Sequence, residues 1–170
     1  MKIYMINNTF RYETENIVRV FFPNEKLEMV NIEENEQESE KPYILTQITD
    51  SDSGKTVMAS VHFEDYTNAI TDTIDFCENE SQYISEQERK TAVCIYRLLT
   101  EYTGIIPPWG ILTGVRPIKL FRRLSENGGK SYAKDYFISE LLVSDEKTNL
   151  FGLFRGCKMN GIAVARIERT

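Results

Sequence analysis

Apolar positions come in short runs up to about residue 64 and then recur at helical spacing. Residues 2–7 (KIYMIN) and 26–32 (KLEMVNI) read as short strands. Between them, residues 14–22 (TENIVRVFF) set Ile17, Val20 and Phe21 on one side of a helix. Residues 43–49 and 56–64 flank Asp50-Ser51-Asp52-Ser53-Gly54, a cluster of turn formers, which predicts a β-hairpin. In its second strand Val57, Ala59, Val61 and Phe63 alternate with Thr56, Met58, Ser60 and His62. One face is then core and the other partly solvated. His62, the sole histidine, falls on the solvated face with no nucleophile or orienting acid selected for it.

Tyr66, Ala69, Ile70, Thr73, Ile74 and Cys77 follow a 3.6-residue period, predicting an amphipathic helix over 65–77. A longer helix is marked over 85–104. Ser85-Glu86-Gln87-Glu88 forms a capping box, Ala92, Ile95, Leu98, Leu99 and Tyr102 make the stripe, and Gly104 supplies the left-handed exit. Pro117 suits the first position of a helix running to about residue 126, where Asn127-Gly128-Gly129 ends it. Two more helices are predicted, over 131–143 and 145–154, the second capped by Ser144. The expected fold is α+β: an N-terminal antiparallel sheet with helices packed on it, followed by a helical C-terminal part. Residues 1–104 form the α+β unit, 105–150 a loop and helices, and 151–170 an irregular tail.

Composition narrows the function. The 170 residues are 41% hydrophobic, enough for one ordinary domain. Cys77, Cys94 and Cys157 are too few and too scattered for a disulfide framework or a zinc site. They read as reduced thiols of a cytoplasmic protein. The first residues lack the apolar core of a signal peptide, and no apolar run approaches the roughly 20 residues of a membrane span. Residues 31–40 (NIEENEQESE) read as a solvated loop. Charge is uneven. Residues 1–90 hold 8 Lys+Arg against 19 Asp+Glu, whereas residues 91–170 hold 12 against 7. The acidic front half argues against a nucleic-acid partner, while the basic second half leaves room for a local anion.

Residues 107–124 (PPWGILTGVRPIKLFRRL) gather the only tryptophan, three prolines, two glycines and four basic residues, with no acid. Arg116 stands just before the predicted helix, where helix amides and a guanidinium fork converge on a carboxylate or phosphate. Lys119 and Arg123 widen that positive patch, and Trp109 walls the site or anchors a docked surface. A plainer arrangement puts Trp109 and Ile111 in the core, pairs Arg116 with a front-half acid and leaves Lys119, Arg122 and Arg123 solvated. Thr113-Gly114-Val115-Arg116-Pro117 is not a phosphate-binding P-loop, because the Gly-Lys-Ser/Thr ending is missing.

The twelve residues WGILTGVRPIKL at 109–120 closely resemble the W-G-I-L-T-G-[IV]-R-P-x-K-L signature of oxygen-independent coproporphyrinogen III oxidase-like radical-SAM proteins, the coproporphyrinogen dehydrogenase type. Tyr136-Phe137-Ile138 and Ser144-Asp145-Glu146-Lys147 are similar to the continuation of that family, from about Ser85 to Asn149 in all. The resemblance implies an N-terminal accessory domain preceding a β/α barrel. The barrel of such proteins carries a C-x-x-x-C-x-x-C loop for a [4Fe–4S] cluster and S-adenosylmethionine, and the parent oxidatively decarboxylates coproporphyrinogen III to protoporphyrinogen IX in haem biosynthesis. That cysteine motif is absent here, so this chain alone is expected to be inactive and cofactor-free, a shortened form with an altered tail over 151–170. Its expected partners are the barrel and tetrapyrrole carboxylates, through Trp109, Thr113, Gly114, Arg116, Pro117, Lys119 and Arg123. The alternative is an independent anion- or protein-binding α+β module using the same corner.

Overall fold

A computed structural model describes residues 1–33, 40–114 and 116–153. The expectations for the interior of the 31–40 loop, for Val115 and for residues 154–170, Cys157 included, lie outside the described residues. The elements run β1 (Lys2–Ile6), α1 (Arg11–Phe21), β2 (Glu28–Asn31), β3 (Tyr43–Ser51), β4 (Gly54–His62), β5 (Thr67–Asp75), α2 (Glu80–Thr103), α3 (Pro117–Ser139) and α4 (Asp145–Leu153). The protein is α+β with a helical C-terminal part.

The five strands form one sheet in the order β2-β1-β3-β4-β5. It is mixed rather than wholly antiparallel: β1 lies parallel to both β2 and β3, and only β3-β4-β5 form an antiparallel meander. The α1 crossover causes this, because returning the chain through a helix brings β2 back beside β1 in the same direction. β1 shows the consequence in its composition. It sits between two strands, so Ile3 and Met5 fill one face and Tyr4 and Ile6 the other, all buried. α1 and α2 cover the first face, where Ile17, Val18, Phe21, Ile95, Leu98 and Leu99 pack on Ile3, Ile44, Val57, Ala59 and Val61.

Residues 67–75 are a strand, β5, and not the helix expected over 65–77. A run this short fits a period of 2 as well as 3.6, and its threonines and isoleucines are stiff, strand-favouring side chains. Pairing along the whole of β4 decides between the two. α2 starts earlier than the Ser85 box, at Glu80, because Asn79 accepts from the Gln82 N–H at 3.0 Å. Ser85 therefore lies inside the helix. Gly104 closes it in the left-handed conformation, φ 69°, as expected. α3 extends past residue 126, yet its backbone breaks at Gly129 (φ 86°, ψ 167°), so two helical segments meet there. The second segment stops at Ser139, short of 143, and the chain turns through Leu142 at φ 57°. Ser144 caps α4 through the Lys147 N–H at 3.3 Å. His62 is half-buried, stacked on Tyr43 at 4.3 Å and within 3.0 Å of the Ser60 hydroxyl.

Candidate functional site

Two consecutive turns shape the approach to α3. The Gly110 N–H donates to the Pro107 carbonyl at 3.1 Å, and the Leu112 N–H to the Trp109 carbonyl at 3.1 Å. Pro107 is buried, and its carbonyl also accepts from the Tyr96 hydroxyl of α2 at 2.9 Å. The turns then zip onto the α3–α4 connection: Ile111 N–H to Leu141 carbonyl at 2.9 Å, and Ser144 N–H to Pro108 carbonyl at 3.0 Å. Gly110 makes this approach possible. Its φ is 56°, and a Cβ there would overlap the carbonyl oxygens of Leu141 and Leu142.

Beneath the turns lies an aromatic core separate from the sheet's. Phe121, Phe137 and Phe151 stand 5.1–5.3 Å apart, joining both segments of α3 to α4. The Trp109 ring lies 6.1 Å from Phe151, with the Lys147 ammonium 5.7 Å from the indole centroid. Trp109 is not a core residue; it keeps 37% of its surface exposed. Ile111 packs against both cores, as the plainer arrangement anticipated. Thr113 is half-buried. Gly114, at φ 69°, lies so close to α1 that an added Cβ would sit 3.6 Å from the Tyr12 hydroxyl.

Arg116 occupies the N-cap position of α3 without capping it by side chain, and Pro117 takes the first turn. Arg116, Lys119 and Arg123 are all exposed and, spaced i, i+3 and i+7, share one face of the helix. At 1.5 Å per residue the row is about 10 Å long. Among the described residues none of the three side chains makes an ion pair or hydrogen bond, so the pairing of Arg116 with a front-half acid is not seen there. Arg122, by contrast, is paired with Glu126 at 2.8 Å. The geometry offers three cations on a corner held by backbone hydrogen bonds, and among the described residues no cluster of metal ligands is present. Two clefts on the surface lie elsewhere, one of about 330 Å³ lined by Lys2, Lys26 and Lys41, another of about 270 Å³ lined by Cys77, Tyr83 and Lys90.

Sequence reasoning did not pick out the residue that fastens this corner to α2. Arg89 pairs with Glu86 and Glu140 and donates to the Glu140 carbonyl at 3.3 Å, with 14% of its side chain exposed. Burial pushes the neighbouring Tyr136 hydroxyl above its usual pKa, against the opposing pull of Arg89. The Glu86-Arg89 spacing of i, i+3 was the available signal, but the distant Glu140 was not.

No known family profile matches the chain. It is 39% identical over 67 residues to the oxygen-independent coproporphyrinogen-III oxidase-like protein HemZ of Bacillus subtilis (strain 168). The similar stretch covers 38% of this chain and 13% of that protein.

Proposed function

We propose that this chain acts as the N-terminal accessory domain of an oxygen-independent coproporphyrinogen III oxidase-like radical-SAM oxidoreductase of haem biosynthesis. In this reading the parent protein oxidatively decarboxylates coproporphyrinogen III to protoporphyrinogen IX, and the present domain binds and orients. The partial identity with HemZ is the observation that carries the assignment. The exposed row of Arg116, Lys119 and Arg123 supports the binding role, because guanidinium forks and a helix N-terminus both suit carboxylates.

The described cysteines do not fit a [4Fe–4S] cluster. Its ligands are thiolates, whereas Cys94 is buried in α2 and its thiol is pushed up to about 11 by that burial. Cys77 lies in the β5–α2 connection, 3.9 Å from the Gln82 side-chain oxygen. The cluster and S-adenosylmethionine belong to the barrel of the proposed parent, and no step of their chemistry runs through these residues. Arg116, Lys119 and Arg123 neutralise carboxylates, either of the tetrapyrrole or on the barrel's docking face, while Trp109, exposed on the turns that lead into α3, supplies an apolar anchor.

Sedimentation of this chain with HemZ lacking its matching 67 residues, and titration with coproporphyrin III, test the assignment. Association with one of them, weakened about tenfold or more by Arg116→Ala with Lys119→Ala, is expected for lost charge-assisted contacts. Absence of binding to both would reject it.

A further inference from the structure

We infer that Asn68, Asp72 and Lys90 lock the free edge of β5 and so keep the sheet from continuing into a second copy of this chain. The sheet ends on two different strands. β2 is four residues long, too short to template much pairing, but β5 runs nine residues and no described element pairs with its outer side. Its sequence suits strand addition. Thr67, Ala69, Thr71 and Thr73 are uncharged and exposed, with no lysine or proline among them.

The ladder direction identifies the groups at risk. Phe76 donates its N–H to Ser53 across the β4–β5 pair, in the register that sets Gly54 against Asp75. Even-numbered residues of β5 therefore turn their N–H and C=O toward β4, and odd-numbered residues turn theirs outward. Of the outward donors, the Ala69 N–H is taken by the Asn68 side-chain oxygen and the Thr73 N–H by the Asp72 carboxylate, both at 2.8 Å. The outward Thr73 carbonyl is taken by the Lys90 ammonium.

α2 holds these plugs in place. Lys90 pairs with Asp72 at 2.9 Å, and the Asn68 amide donates to the Glu101 carboxylate at 3.2 Å and to the Tyr66 hydroxyl at 3.1 Å. An incoming strand must displace side chains that are themselves anchored, with the Ala69 carbonyl and the Thr71 groups left open between the two plugs.

The test combines an opened edge with a second blockade. Asn68→Ala/Asp72→Ala, checked for folding by circular dichroism, is expected to self-associate in analytical ultracentrifugation. Its mean mass should rise with concentration to about twofold that of the wild type, or beyond. Adding Thr71→Pro removes an outward N–H without touching the β4 ladder, and is expected to restore wild-type sedimentation. A folded double variant that sediments as the wild type does would overturn the inference, and so would association that survives the proline. Should the double variant not fold, amide exchange in the wild type decides. Ala69 and Thr73 must exchange more slowly than Thr71, and equal rates refute the lock.

Discussion

At the level of single residues, two glycines in the same left-handed region should respond very differently to a methyl group. A Cβ added at Gly104 would meet nothing within 4 Å, so Gly104→Ala carries only the backbone penalty, about 1–2 kcal/mol. Gly110 has the same penalty and, in addition, the carbonyls of Leu141 and Leu142 in the way. Gly110→Ala is expected to cost more than Gly104→Ala in urea unfolding and to loosen the Ile111–Leu141 hydrogen bond. Equal losses would show that the turn relaxes freely. Cys94 makes a separate prediction about pH. Burial raises its thiol from the usual 9.0 to about 11, so the folded chain resists deprotonation that the unfolded chain accepts. Its contribution to stability is complete below pH 9 and is lost as pH rises toward 11. Cys94→Ala should flatten that part of the stability profile measured by denaturant titration.

Among the elements, Arg89 joins α2 to the turn after α3, and nothing in either helix alone requires it. Arg89→Ala leaves Glu86 and Glu140 facing each other without their shared cation. Because the carboxylates are partly solvated, the expected loss is about 1–3 kcal/mol, below that of a fully buried pair. Hydrogen exchange should locate the damage. Amides of α3 and α4 lose protection while those of β3 and β4 keep theirs. What the sequence disclosed follows the same division. The hairpin, Gly104, Pro117 and the interruption expected at Asn127-Gly128-Gly129, which falls at Gly129, each depend on local chemistry and were legible as such. Residues 67–75 were not, since their strand identity comes from pairing with β4, and a nine-residue run carries both periods. The parallel placement of β2 was hidden for a similar reason: no residue of KLEMVNI records its direction. At the corner, the spacing of Arg116, Lys119 and Arg123 announced a shared face, whereas the Arg89–Glu140 clasp joins residues 51 apart.

For the whole molecule, charge and stability should separate cleanly at the basic corner. The acidic front half and the basic second half make the chain electrically lopsided, and the exposed row on α3 sits at the basic end of that asymmetry. Exposed cations without described partners contribute little to folding, so Arg116→Ala/Lys119→Ala/Arg123→Ala is expected to shift stability by no more than about 0.5 kcal/mol. Under the proposed function, their effect falls on association. If the row meets carboxylates, binding to coproporphyrin III or to HemZ lacking its matching segment should weaken as salt rises from about 0.1 M to 1 M, over which the screening length falls from ~10 to ~3 Å. The triple variant should lose both the affinity and its salt dependence, because the same charges produce the two. Wild-type binding that ignores salt would assign the contact to Trp109 and its apolar neighbours instead. A triple variant that unfolds would show that the row supports the fold, contrary to its exposure.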